Sequence, residues 1–251
     1  MRIRLRYSKL GKIRFTSHRD VARMWERAFR RVQLPLVYTA GFSPRPKIAF
    51  GLALSTGHES LAEFLDIELA DVQSTGTDIE LADVRSGTGI EPAALPERLT
   101  PALPVGLDVT AAGLLAPGGA SLQEAVTSCT WRIEARGLHP SDADELVAAA
   151  LAAEQLVIPR IRKGREVTDD LRPAVLSVSV AGPTVGGTEL LAELAVHPRS
   201  VRPAELLTAL APERAIEEGR VLRTAQSIWR DGERAEPLDA IPRPHAELRA
   251  S

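Results

Sequence analysis

The chain has 251 residues, 44% of them hydrophobic and 25% charged, with a net charge of -2, the make-up of a globular protein of one large or two small domains. No apolar run approaches the roughly 18 residues that span a bilayer, and the opening "MRIRLRYSK" lacks the apolar stretch of a signal peptide, so a cytoplasmic location and no membrane partner are expected. The single cysteine, Cys129, excludes an internal disulfide, a thiolate metal cage and an iron–sulfur cluster, and with no activating neighbour it reads as a small buried hydrophobe.

Charge is unevenly spread along the chain. Residues 1–50 hold 13 Lys and Arg against two acids, Asp20 and Glu26, a balance of +11. The other 201 residues hold 18 basic and 31 acidic groups, a balance of -13. A chain so polarised has an electrostatic reason to meet a polyanion with its amino-terminal part.

Residues 2–7, "RIRLRY", alternate Arg with Ile3, Leu5 and Tyr7, which predicts a strand with one apolar and one cationic face. "KIRF" extends it after a turn at Gly11. "HRDVARMWERAFRRV" then switches to helical spacing. Val21, Met24, Trp25, Ala28, Phe29 and Val32 form its apolar stripe, and Arg19, Arg23, Arg27, Arg30 and Arg31 occupy the other faces. Ser17, with Asp20 three residues on, resembles a capping box at the helix start. There follow "LPLVYT", a loop "AGFSPRP", a strand "KIAFGLAL", a turn "STGHES" and a strand "AEFLDIEL". A helix over "PAALPERLTPAL", shortened by Pro96 and Pro101, and a strand over "GLDVTAAGLL" complete the set. A tandem copy, "DIELADVQSTGT" then "DIELADVRSGTG" (66–77 and 78–89), reads as an insertion on a surface loop.

The order then recurs. "CTWRIEARG" predicts a strand, "SDADELVAAALAA" a helix opened by Ser141, and "LVIPRIR" a strand followed by the loop "KGREVTDDLRP". "AVLSVSV" and "TELLAELAVH" pair as a hairpin across "AGPTVGG", and a helix "RPAELLTAL" and a strand "RVLRTAQSIWR" follow. The pattern implies an α+β fold of two tandem ferredoxin-like (β-α-β-β-β-α-β) lobes with antiparallel sheets. The domains are a basic lobe over 1–118 with an insertion at 70–90, a second lobe over 119–231, and a polar, disordered tail over 232–251.

Three features carry chemistry. His18, at the first turn of the basic helix and near Arg14, is the candidate catalytic residue. A neutral imidazole there takes a proton from a ribose 2′-hydroxyl while Arg groups steady the phosphate, with His58 as the only plausible second histidine. The helix places five Arg beside only Asp20 and Glu26, so like charges repel until a polyanion relieves them. In "GFSPRPK", Pro44 and Pro46 stiffen a loop that presents Arg45 and Lys47, with Phe42 or Tyr38 able to stack a base. The matching loop of the second half offers Arg162, Lys163, Arg165 and Arg172, with Asp169 and Asp170 as internal partners, so the two loops are expected to flank one groove. Arg14, Arg19, Arg23, Arg27, Arg45, Lys47, Arg162, Lys163 and Arg172 are thus the candidate phosphate contacts, and Ser17, Asp20, Pro44 and Pro46 the structural junction. No P-loop, GxGxxG, HExxH or zinc spacing is present, so no metal and no cofactor are expected.

The run "IRFTSHRDVARMWERAFRRVQLPLVYTAGFSPRPKIAFGLALSTGHESLAEFLDIEL", together with "RKGREVTDDLRP", resembles the radical-SAM-linked (radical-SAM-associated) protein family. Its members are uncharacterised bacterial proteins encoded beside, or fused to, a B12-binding-type radical SAM protein. The resemblance spans residues 1 to 230. Arg14, Ser17, His18, Asp20, Pro44, Pro46 and Lys47 match the family pattern. Arg19 stands where the family tends to have Leu, Ser43 where it has Asn, and the insertion at 78–89 departs from it. The resemblance implies a radical SAM protein as partner, which would hold the cluster and S-adenosylmethionine, because the CxxxCxxC motif is absent here. The expectation is an accessory protein that binds structured RNA and presents it to that partner. The alternatives are a metal-independent ribonuclease using His18 and a purely protein-binding module.

Overall fold

The computed structural model describes residues 1–70, 90–116, 120–162, 164–230 and 232–238. The first half contains β1 (Arg2–Lys9), α1 (His18–Arg31), β2 (Ile48–Phe50), β3 (Glu59–Glu68), α2 (Leu95–Leu99) and β4 (Leu107–Leu114). The second half opens with α3 (Leu122–Ala125), β5 (Ser128–Arg136), α4 (Pro140–Ala152), β6 (Val157–Arg162) and β7 (Arg165–Asp170). It continues with β8 (Val175–Pro183), β9 (Gly187–Ala195), α5 (Pro203–Leu210), β10 (Glu217–Arg230) and β11 (Glu233–Ala235). The fold is α+β, with a large, mostly antiparallel sheet and helices packed against it.

One nine-stranded sheet runs through both halves in the order β4-β1-β3-β10-β5-β9-β8, with β2 added to β3 and β11 to β10. β6 and β7 form a separate ribbon. The halves join where β10 lies parallel to β3, pairing Leu222 with Glu59 and Arg223 with Ser60. The two expected sheets are therefore continuous. Within the sheet the order β4-β1-β3-β2 recurs as β10-β5-β9-β8.

Two apolar cores sit under this sheet. Val21, Trp25 and Phe29 of α1 and Leu95 and Leu99 of α2 pack on Ile3, Leu5 and Tyr7 of β1, Leu65 and Ile67 of β3, and Leu107 of β4. The α1 stripe is as its spacing predicts, and each large side chain so buried contributes about 1.5–3 kcal/mol. The second core joins Ile133 and Ala135 of β5, Leu190 and Leu194 of β9, Val147 of α4 and Leu206 and Leu207 of α5, and takes in the buried Cys129. Between the cores runs a buried polar seam. Arg223 pairs with Glu63, and the Gln226 amide donates to the Ala62 carbonyl at 2.6 Å. Glu59 accepts from the Gly11 N–H at 2.7 Å and from Arg220 at 2.5 Å.

Several elements differ from expectation. "KIRF" is a 3-10 turn, Gly11–Phe15, because Gly11 adopts φ +72° and folds the chain off the sheet. "LPLVYT" contributes only the isolated bridges Leu36–Leu69 and Tyr38–Pro46; Pro35 has no N–H to offer a ladder. The strand expected over "KIAFGLAL" stops at Phe50, since β2 covers only Leu65 to Ile67 of the β3 edge and β10 takes Glu59 and Ser60 further along it. "KGREVTDD" is no open loop: Gly164, at φ +76°, turns the chain so that β7 pairs with β6. α4 begins at Pro140 with His139, not Ser141, accepting from a first-turn amide. Of the tail expected to be disordered, residues 233–235 form β11, and the Pro237 carbonyl accepts from Arg4 at 3.1 Å. Most of the tandem repeat, residues 71–89, and residues 239–251 lie outside the described residues.

Candidate polyanion-binding groove

α1 starts where the sequence places it. The Ser17 hydroxyl oxygen accepts from the Asp20 N–H at 3.2 Å, and the hydroxyl donates to the Asp20 carboxylate at 2.7 Å. Asp20 thus closes on the hydroxyl rather than on the backbone amide that a Glu would reach. The helix ends in a Schellman turn: Leu34 N–H donates to Phe29 O and Gln33 N–H to Arg30 O, both at 3.1 Å. Gln33 occupies the left-handed position at φ 54°.

With one face of α1 in the core, Arg19, Arg23, Glu26 and Arg30 fall four, seven and eleven residues along one outer stripe. The 37–47 segment folds back across this stripe. Thr39 N–H donates to Arg45 O and Lys47 N–H to Val37 O, each at 2.8 Å, while the Thr39 hydroxyl oxygen accepts from Arg45 N–H at 3.1 Å. Pro44 and Pro46 bracket Arg45 and restrict its backbone to extended geometry. The result is a groove of about 320 Å³ lined by Arg19, Arg23 and Arg30 from the helix and Tyr38, Pro44, Arg45 and Pro46 from the loop. Among the described residues Glu26 is the single acid on its walls.

The electrostatics of these cations differ sharply from those of their neighbours. Among the described residues Arg19, Arg27, Arg30, Arg31 and Arg45 form no ion pair, and Arg23 leans on Asp20 at 3.4 Å with both side chains about half exposed. Each like-charge pair spaced four apart on α1 opposes the helix by about 0.2–0.5 kcal/mol. Elsewhere in residues 1–50 most of the positive charge, exposed Lys12 apart, is already answered. Arg4 is buried and grips Asp66 at 2.7 and 2.9 Å, Arg2 approaches the same carboxylate at 3.7 Å, and Arg6 reaches Glu236 at 3.4 Å. The Lys9 ammonium donates to the Arg14 and Thr16 carbonyls, and burial pushes its pKa down. The expected cationic face of β1 is thus covered by acids and carbonyls from distant parts of the chain.

The candidate residues separate accordingly. The structure brings Arg19, Arg23, Arg45, Pro44 and Pro46 to one groove and adds Arg30 and Tyr38. Arg27 is exposed but off the groove wall. Lys47 pairs with Glu68 at 3.1 Å. Arg14 lies 3.5 Å from Glu59, with its guanidinium 4.6 Å from the centre of the Phe15 ring. Among the described residues the groove's lining comes wholly from the first half, so Arg165 and Arg172 of the second basic loop do not flank it. Arg172 instead donates to the carbonyls of Leu151, Ala153 and Val175, tying down the end of α4. Lys163 and the side chain of Arg162 lie outside what the structure describes.

His18 turns away from the groove. Its ring packs edge-on against Phe50 at 4.9 Å and borders a second cavity of about 440 Å³ where the halves meet. His58, the histidine expected to accompany it, lines the same cavity. Trp131 and Arg223 also line it, and sequence reasoning passed over both. A signal existed for Arg223: it follows buried Val221 at the two-residue spacing of β10, so the strand carries an arginine on its inward face. Among the described residues no group of His, Cys, Asp and Glu is arranged to hold a metal ion.

Fold and site define an α+β protein with an arginine-lined groove on one helix. The chain belongs to the family DUF2344, described as an uncharacterized protein conserved in bacteria, whose pattern matches residues 2–203. No curated protein matches the chain. A solved structure, "Crystal Structure of a Cbf5-Nop10-Gar1 Complex", is similar over 89% of this chain and 48% of that chain, with 10% identity and a TM-score of 0.46. The chain spans about half the length of that relative, and a likeness so slight carries no argument.

Proposed function

We propose that this protein binds structured RNA through the groove between α1 and the 37–47 loop, and holds it for a radical SAM partner. The observation that carries the reading is the convergence of Arg19, Arg23, Arg30 and Arg45 on one groove with, among the described residues, a single acid on its walls. Guanidinium groups grip phosphate with paired N–H donors, and Tyr38, 47% exposed on the same wall, offers a ring on which an unstacked base rests. The proline-braced loop is ordered before the ligand arrives, which lowers the entropy lost on binding. The partner comes from the sequence resemblance alone. The repeated strand order supports a finer reading of each half as a ferredoxin-like lobe, and a cytoplasmic setting suits an RNA ligand; no helix among the described residues is long and apolar enough to cross a membrane.

The test is fluorescence anisotropy with a labelled, structured RNA. Arg19→Glu/Arg30→Glu reverses two exposed charges that hold nothing else in place. It is expected to weaken binding by more than about ten-fold while circular dichroism and melting stay as in the parent. Unchanged affinity refutes the groove. Purification from cells after nuclease treatment checks the ligand class: a retained acidic protein with no bound RNA would assign the groove to a protein instead.

A further inference from the structure

The second cavity is a site in its own right. Its inner wall is formed by Trp131 and His58, each only 6% exposed, with ring centres 6.1 Å apart at 77°. Arg223 lies 5.3 Å over the Trp131 ring and is held there by Glu63 and by the Leu52 carbonyl at 3.0 Å. His58 Nε2 sits 2.6 Å from Glu218 Oε1. A carboxylate only accepts, so Nε2 carries the hydrogen, and in the neutral form of the ring Nδ1 is an acceptor. Nδ1 has no hydrogen-bond partner, and neither has the Trp131 Nε1–H. Among the described residues two buried ring nitrogens on neighbouring aromatic walls therefore lack partners. Buried polar atoms are destabilising until paired, so a group that completes both is favoured there.

The mouth of the cavity has a different character. Ser200 and Arg202 are exposed at its rim, Arg202 forms no ion pair among the described residues, and α5 begins beside them at Pro203, where the Glu205 carboxylate accepts from the Arg202 N–H at 2.8 Å. His18 is exposed on the same rim.

We infer that this cleft takes a nucleotide, with the base against Trp131 and His58 and the phosphate at the Arg202 guanidinium. A base edge presents an acceptor and a donor within one flat ring system, the complement of the Trp131 hydrogen and the His58 lone pair. The volume of about 440 Å³ falls among those of small-ligand sites, roughly 300–1,000 Å³. The nucleotide is either a free monophosphate or one unit of a bound RNA. The second source is within geometric reason because His18 on the cleft and Arg19 on the groove are adjacent residues of α1. This assignment goes beyond the groove reading and stands without it.

Isothermal titration of the full chain with nucleoside 5′-monophosphates, the matching nucleosides and inorganic phosphate tests it. At least one monophosphate is expected to bind. Trp131→Phe, which keeps the ring and loses the N–H, weakens that binding about ten-fold, the worth of one well-placed hydrogen bond. Arg202→Ala weakens the monophosphate and spares its nucleoside. Arg19→Glu/Arg30→Glu leaves this titration unchanged, which separates it from any failure of the groove. If no free monophosphate binds, RNA affinity that falls in Trp131→Phe makes RNA the source of the nucleotide. Inorganic phosphate binding as tightly as every monophosphate overturns the assignment. So does Trp131→Phe without effect on either ligand in a protein that melts as the parent does.

Discussion

Arg223→Met removes the cation that holds the seam between the two cores. The side chain is 1% exposed, its Nε donates to Glu63 at 3.0 Å, and Glu63 itself is 8% exposed, so no solvent stands ready to replace the guanidinium. Methionine fills a similar volume and leaves the carboxylate buried without its partner. Breaking such a pair from one side costs about 3–5 kcal/mol, and in a chain of this size each kcal/mol lowers the melting temperature by about 2–4 °C. The expected loss is thus on the order of 6–20 °C. Removing both charges at once is a different perturbation: Arg223→Met/Glu63→Leu loses the Coulomb attraction but also the desolvation penalty of both ions, and is expected within about 2 kcal/mol of the parent. Urea unfolding of the parent, both single variants and the double variant, followed by tryptophan fluorescence and far-ultraviolet circular dichroism, closes the cycle. Single variants that lose less than about 1 kcal/mol and simply add in the double variant would refute the buried pair as the link between the halves.

Three further outcomes follow from local geometry. Gln33→Gly relieves the left-handed φ of 54° at the end of α1 and is expected to raise stability by about 0.5–1 kcal/mol, read as a higher melting temperature. Glu59 is raised by burial, but the Gly11 N–H and Arg220 outweigh that and hold its carboxyl below the ordinary 4.5. The folded state therefore binds this proton less readily than the unfolded chain, so the contribution of Glu59 is complete above pH 4.5 and fades as pH falls through its lower native value. Glu59→Gln should flatten that part of the stability profile measured by urea titration at stepped pH. Arg172→Ala removes three bonds to the carbonyls of Leu151, Ala153 and Val175 and should lower stability by about 2–3 kcal/mol while leaving RNA affinity unchanged, contrary to what a phosphate contact would do.

Period was the legible part of the sequence. The α1 stripe from Val21 to Phe29, the alternation of β1, and the β8–β9 hairpin are set by neighbours within a few residues, and they lie where their spacing puts them. What escaped was decided at a distance. The β2 strand ends early because β10, some 170 residues later, claims the rest of the β3 edge. β7 hid in a charged run whose signal was the turn at Gly164 rather than its hydrophobicity. The candidate site shows the same division. Arg19, Arg23 and Arg30 on one stripe follow from helical period, and the prolines around Arg45 announce a stiff loop. The fold-back that sets that loop on the helix depends on tertiary hydrogen bonds. The discharge of Arg2, Arg4, Arg6, Arg14 and Lys47 likewise needs Asp66, Glu236, Glu59 and Glu68, which no local pattern ties to them. The net positive balance of the first 50 residues therefore overstated the cationic surface and understated how closely it is focused.

The most direct measurement is RNA affinity as a function of salt for the parent and for Arg19→Gln/Arg30→Gln/Arg45→Gln. The groove predicts a log–log slope of a few units in the parent, reduced in the variant by about 0.7–0.9 for each arginine neutralised, or roughly 2–3 in all. A parent whose affinity ignores salt, or a variant whose slope equals the parent's, would contradict the account.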